Sequence, residues 1–145
     1  MVASTHNDTP AHVGTDYFIA RDGSEYAGSH LLVEFWGSAD LDDVDRIRGA
    51  LREAAMAARA TLLHLHVHHF GPECGVTGIA VLAESHISIH SWPERGYAAI
   101  DVFMCGSCDP YAALPALERA FSPATVGIEE HRRGLVQREA GHGLA

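Results

Sequence analysis

Residues 79–90 read Ile79-Ala80-Val81-Leu82-Ala83-Glu84-Ser85-His86-Ile87-Ser88-Ile89-His90. Two apolar segments of strand length flank three polar residues, Glu84-Ser85-His86. Three polar side chains inside an apolar run break the local pattern, and such breaks fall at turns or at functional sites. The same residues suit a tight turn between two strands, with Ser85 supplying turn chemistry. Residue pattern alone leaves both readings open.

Working outward, His30-Leu31-Leu32-Val33-Glu34-Phe35-Trp36 reads as a buried strand. Ser38 or Asp40 can cap a helix whose apolar positions Leu41, Val44, Ile47, Leu51, Ala54, Ala55 and Ala58 keep helical spacing. Leu63-His64-Leu65-His66-Val67-His68 alternates with period 2, setting three imidazoles on one face of a strand and aliphatic groups on the other. Phe70 to Gly75 is a turn, and a further strand spans about Tyr97 to Met104. Asp109-Pro110 starts a second helix, with Pro115 predicting a kink or a late restart. A last strand lies near Val126 to His131. The order βαββββαβ with short connections predicts an α+β two-layer sandwich, a largely antiparallel sheet with two helices on one face. Residues 1–25 are expected to be a flexible extension, 26–134 a single domain and 135–145 a flexible tail.

The chain has 145 residues and a formal charge of -9, with 47% hydrophobic and 20% charged residues. That balance is globular, and its acidity argues against nucleic acid as a partner. No apolar run approaches the ~18 residues of a membrane span. The opening MVASTHNDTPAHVGTD lacks the basic and apolar regions of a signal peptide, so the expectation is a cytoplasmic protein with no membrane partner. Cys74, Cys105 and Cys108 are too few for a disulfide framework. All ten basic residues are Arg. With no Lys amine there is no internal aldimine, no Lys Schiff base and no P-loop, so any amine–carbonyl chemistry needs a carbonyl from elsewhere.

The Glu84-Ser85 peptide offers one source. If it is strained, Ser85 Oγ can attack the preceding carbonyl and convert the amide to an ester. Loss of the Ser85 Cα proton then eliminates the ester. The resulting dehydroalanine hydrolyses to a pyruvoyl group, releasing ammonia. Backbone strain of order 1–3 kcal/mol and donors around the oxyanion assist such a step.

The run from Gly78 through Glu84-Ser85-His86, His90-Ser91-Trp92-Pro93-Glu94-Arg95-Gly96 and Asp101 to Cys105-Gly106 closely resembles the prokaryotic S-adenosylmethionine decarboxylase proenzymes. Gly28 to Trp36 resembles the first strand of that family, and the resemblance covers about residues 26–134. It implies the family's sandwich fold, cleavage between Glu84 and Ser85 into chains 1–84 (beta) and 85–145 (alpha), and a covalent pyruvoyl cofactor from Ser85. By position, His90 matches the base of self-processing and Cys105 the acid that protonates product. Thr77 falls where the family often has an assisting Ser. Phe70, Trp92 and Glu94 match substrate-binding positions, although the Phe70 turn carries one extra residue before Gly75. The implied reaction is decarboxylation of S-adenosylmethionine, held as a Schiff base, to S-adenosylmethioninamine for spermidine and polyamine biosynthesis. The implied assembly is a homodimer of processed protomers.

Other readings use the same residues. His64, His66, His68, His69, Cys74, Cys105 and Cys108 offer zinc ligands. Alternate strand positions are ~6.6–7 Å apart, however, which suits a solvent-facing or interface row better than one tetrahedral ion, and no metal is expected. The same scaffold could act on ornithine or arginine, because the electron sink is indifferent to the side chain. An inactive regulatory paralogue is a further alternative, one that would not require Ser85, His90 and Cys105 together.

Overall fold

Nine residues, Gly28–Trp36, alternate inward and outward side chains and form a strand second from one edge of the main sheet. In the computed structural model, which describes residues 18–137, this strand is β3, preceded by β1 (Ile19–Arg21) and β2 (Ser24–Tyr26). There follow α1 (Val44–Ala57), β4 (Leu62–His69), β5 (Val76–Leu82), β6 (Ser85–Trp92), β7 (Tyr97–Cys105), α2 (Leu114–Phe121) and β8 (Thr125–Arg133). Six strands make one sheet in the order β4-β5-β6-β7-β3-β8, antiparallel at each pairing. The inward side chains Leu31, Val33, Phe35, Ile87, Ile89, Ile100 and Val102 meet Ile47, Leu51 and Ala54 of α1 and Leu114, Leu117 and Phe121 of α2 in one core. This is the expected α+β sandwich. Among the described residues no helix covers the opposite face of the sheet.

Local details differ from the sequence pattern for identifiable reasons. Asp43 caps α1, accepting the Arg46 N–H at 3.0 Å, so the helix starts later than a Ser38 or Asp40 cap would set it. Leu41 is buried ahead of the helix instead of inside it. Asp109 does cap, but it caps the single 3₁₀ turn Pro110–Ala113; α2 restarts at Leu114 with Pro115 in its first turn, where no N–H is needed. In β4 a bulge between Leu62 and His64 turns Leu63 outward, 63% exposed, and gives its inward place to Leu62.

All but the last residue of the β1–β2 hairpin falls within the expected flexible extension 1–25. The hairpin is tied to the end of β8: Ala27 N–H donates to the Arg133 carbonyl at 2.8 Å, and Arg132 reaches Asp22 at 3.0 Å. The Arg132 guanidinium also lies 4.8 Å from the centre of the buried Tyr26 ring. Tail residue Val136 donates to the Glu25 carbonyl. The rest of both terminal segments, 1–17 and 138–145, lies outside the described residues.

Ser91 joins three elements. Its buried hydroxyl donates to the Leu41 carbonyl at 2.6 Å and accepts the Val76 N–H at 3.0 Å. Removing it leaves two buried backbone groups without that partner, which costs about 1–3 kcal/mol. Ser91→Ala is therefore expected to lower the unfolding free energy by that amount, seen in equilibrium urea unfolding as a lower midpoint with an unchanged slope.

Candidate active site

Strands β5 and β6 form a hairpin in which Leu82 pairs with Ser85, so Ala83-Glu84 is the whole connection. Glu84 adopts φ 63°, a left-handed conformation that costs a residue with a Cβ roughly 1–2 kcal/mol. The tight turn expected at this break is present as that two-residue connection. Beside it, β7 ends in Cys105. Its backbone N–H donates to Ser85 Oγ at 3.2 Å, and its thiol donates to the Glu84 carbonyl oxygen at 3.0 Å. Sulfur and hydroxyl are 3.6 Å apart, and both side chains are buried. Burial pushes the Cys105 thiol above its ordinary range, the Ser85 hydrogen bond opposes this, and the Glu84 charge adds to it. The thiol is held protonated, as a donor.

Thr77 and His90 are directly paired across β5 and β6, with Thr77 Oγ1 3.0 Å from His90 Nδ1. They are not near Ser85. His90 lies five residue steps along the strand from Ser85, about 17 Å at the rise of an extended chain. Phe70, Trp92 and Glu94 lie at the His90 end. Phe70 sits edge-on to His68 at 4.7 Å, and Glu94 is exposed on the 3₁₀ turn Pro93–Arg95. Trp92 stacks on Tyr97 at 5.2 Å, and Tyr97 stacks on Trp36 at 4.3 Å. The Tyr97 hydroxyl donates to Glu34; burial first, and then that bond, push its pKa up to about 12. One chain therefore holds two groups: Glu84, Ser85 and Cys105 at one end of the open sheet face, and Thr77, His90, Phe70, Trp92 and Glu94 at the other. A shallow trough of about 560 Å³ runs along β5 and β6 between Ser85 and His90.

A further network on the open face was not anticipated from the sequence. Asp101 binds His30 Nε2 at 3.0 Å and accepts from Ser88 Oγ at 3.3 Å. His86 stacks on Phe103 at 5.8 Å and meets His30 edge-on at 6.1 Å. Burial, then the neighbouring His30, hold the His86 imidazole below its ordinary pKa, while Asp101 pulls the other way. Alternation along β6 and β7 could have placed these residues on one face, but only the register brings His30 to them. Among the described residues no three metal-binding side chains converge. Cys74 is exposed, and the Cys108 thiol faces the Arg59 carbonyl at 3.5 Å.

Residues 29–134 match the family model described as S-adenosylmethionine decarboxylase. The chain belongs to the S-adenosylmethionine decarboxylase family. It is 46% identical over 110 residues to the S-adenosylmethionine decarboxylase proenzyme of Thermomicrobium roseum, covering 75% of this chain and 95% of that one. It is 43% identical over 113 residues to the proenzyme of the same name from Methanococcus maripaludis strain C7, covering 76% and 92%. The crystal structure of the adenosylmethionine decarboxylase from Aquifex aeolicus superposes with a TM-score of 0.67 at 36% identity, covering 78% of this chain and 95% of that one. In this S-adenosylmethionine decarboxylase fold the matched region starts at Ser29, so hairpin β1–β2 lies outside it.

The state of Cys105 is directly measurable. Thiolate is the reactive form, and burial with a raised pKa suppresses it. At pH 7.5 a maleimide is expected to label the exposed Cys74 at least about tenfold faster than Cys105. Peptide mass mapping over time reads the two rates separately.

Proposed function

We propose that this chain is made as a precursor, cuts itself between Glu84 and Ser85, and then decarboxylates S-adenosylmethionine to S-adenosylmethioninamine. That product is the aminopropyl donor for spermidine and polyamine biosynthesis. The observation that carries the reading is the pair of Cys105 donors on the Glu84–Ser85 peptide. Attack of Ser85 Oγ on the Glu84 carbonyl carbon builds negative charge on an oxygen that already faces a protonated thiol. The Cys105 N–H fixes the attacking oxygen, and cleavage releases the left-handed constraint on Glu84. The amide becomes an ester. His90 then removes the Ser85 Cα proton, with Thr77 orienting its ring. Elimination leaves the Glu84 carboxylate as a new C-terminus, and hydrolysis of the dehydroalanine releases ammonia.

The donor set around Ser85 fits a pyruvoyl group formed at that position. When present, that group supplies the electron sink for loss of carbon dioxide. The chain's own residues do the rest. Cys105, protonated at neutral pH, delivers a proton to the product carbon. Glu94 accepts the ribose hydroxyls, and Trp92 and Phe70 offer aromatic faces to the sulfonium, worth ~0.5–2 kcal/mol. No helix among the described residues is long and apolar enough to cross a membrane. We place the activity in the cytoplasm, where three free thiols stay reduced.

The separation of the two groups supports an assembly of two copies. His90 cannot reach a Cα about 17 Å away on its own strand. Two copies pairing through their open faces, about a two-fold axis running across the strands, set His90, Thr77, Phe70, Trp92 and Glu94 of one copy over Ser85 and Cys105 of the other. Ile79, Val81, Trp36 and Trp92, all 38% exposed or more, are the apolar surface such pairing buries.

Incubated wild-type protein is expected to give two masses, residues 1–84 and a ketone-blocked 85–145, while Ser85→Ala stays whole. The processed protein should release carbon dioxide from S-adenosylmethionine faster than from ornithine or arginine. Glu94→Gln removes a charge-assisted bond of ~1.5–3 kcal/mol, lowering kcat/KM for the nucleoside by roughly one to two decades and changing the amino acids less. An uncut chain overturns the self-processing reading. Preferential release from ornithine or arginine overturns the substrate alone.

A further inference from the structure

The open face of the sheet can be read as a grid, because residues paired across antiparallel strands share a face. One row across all six strands is His64, Val81, His86, Phe103, His30 and His131. The next is His66, Ile79, Ser88, Asp101, Leu32 and Glu129. The third is His68, Thr77, His90, Ala99, Glu34 and Gly127. Seven of the chain's eleven histidines therefore lie on one uncovered face. The function proposed above uses only His90.

We propose that this histidine grid makes pairing of two copies proton-sensitive, so that the dimer, and with it the completed site, is lost on mild acidification. The inference rests on the face-to-face pairing proposed above and adds its regulation. The occupant is a second copy of this chain. A two-fold axis across the strands and near the middle row sets the row of His64, His86, His30 and His131 over the partner's His68, His90 and Glu34. Among the described residues no element of the same chain packs on this face, so the charges that each imidazole meets are those of the two grids and of the face's ends. Within one grid the carboxylates are Glu34, Asp101 and Glu129. Arg133 reaches His30 Nδ1 at 3.5 Å and adds a positive charge. Glu34 is already engaged by Tyr97, Asp101 by His30 and Ser88, and Glu129 lies 3.8 Å from His131. Glu84 and Glu94 stand at the two ends of the face, beyond the three rows. Even so, five carboxylates per copy cannot balance seven imidazolium ions and a guanidinium.

The sign follows from linkage. Bringing two such faces together desolvates imidazoles against one another, so each favours its neutral form more strongly in the dimer than in the free protomer. The lowered pKa of His86, already caused by burial and by His30, is the same effect within one chain. Pairing is therefore fully favourable above the free histidine pKa of ~6.5 and weakens as pH falls below it. Net charge predicts the reverse. The chain carries -9 with its histidines neutral, and protonating all eleven takes it through zero, which would relieve repulsion between copies. The two effects have opposite signs, and measurement separates them.

Sedimentation of the full chain from pH 8 to pH 5, with circular dichroism at each pH, tests this. If one histidine per protomer must lose its proton, the dimer Kd rises roughly fiftyfold between pH 6 and pH 5, and more steeply with each further histidine. The exposed triple variant His64→Gln, His66→Gln, His68→Gln should flatten that dependence while remaining dimeric at pH 8. A dimer that holds or tightens on acidification overturns the proposal and leaves the pairing intact. A monomer at every pH overturns the pairing itself. Where the fold melts over the same range, the glutamine variant decides: a pH response equal to that of wild type overturns the proposal.

Discussion

An extended strand advances about 3.3 Å per residue, and its direction is fixed by its neighbours on both sides. Strand β6 carries Ser85 at its first position and Trp92 at its last. It is clamped between β5 and β7 by register on both edges, so Ser85 and His90 cannot approach one another without dismantling the centre of the sheet. Everything about the site follows from that constraint. Glu84, Ser85 and Cys105 sit at one end, and Thr77, His90, Trp92 and Glu94 sit at the other. Among the described residues no helix covers the face between them, where Ile79, Val81 and Leu32 stand among polar side chains.

The covered face explains why the geometry holds. Helix α1 comes close enough to the sheet that a Cβ added at Gly78 would lie 3.1 Å from side-chain methyls of Leu51 and Ile89, which would have to give by a few tenths of an ångström. At Gly75 a Cβ would fall 2.0 Å from the Ser91 carbonyl oxygen, which no adjustment of a side chain relieves. Ser91 itself ties the segment before α1 to β5 and β6. Rigidity on this side keeps the Cys105 donors aligned on Glu84 and Ser85 on the other. A catalytic donor is effective when its position is set before charge develops.

Much of this was legible in the residues. Period-2 alternation marked the strands, helical spacing marked α1, and the polar break at Glu84-Ser85-His86 marked the turn. Pro115 marked where a helix restarts, because its missing N–H is harmless only in a first turn. The less legible features depend on register and on competition between local choices. Three capping residues, Ser38, Asp40 and Asp43, precede α1, and only packing decides among them. The bulge that turns Leu63 outward leaves no compositional mark. The hairpin before β3 is short and polar, and it forms against the end of β8, more than a hundred residues away. The division of the site into two ends was countable from the spacing of Ser85 and His90 along one strand, once that strand was known to run unbroken.

Assembly of the site from two copies is the central claim, and mixing two inactive chains tests it. The Ser85→Ala chain keeps His90, and the His90→Ala chain keeps Ser85. Neither is expected to cut itself alone. Coexpressed and paired, they rebuild one complete site, with His90 from the first chain acting on Ser85 of the second. Intact-mass spectrometry should then show cleavage of the His90→Ala chain only, in up to half of its sites when the chains pair at random. A His90→Ala chain that stays whole in mixed dimers, or that cuts itself fully without a partner, would contradict the account.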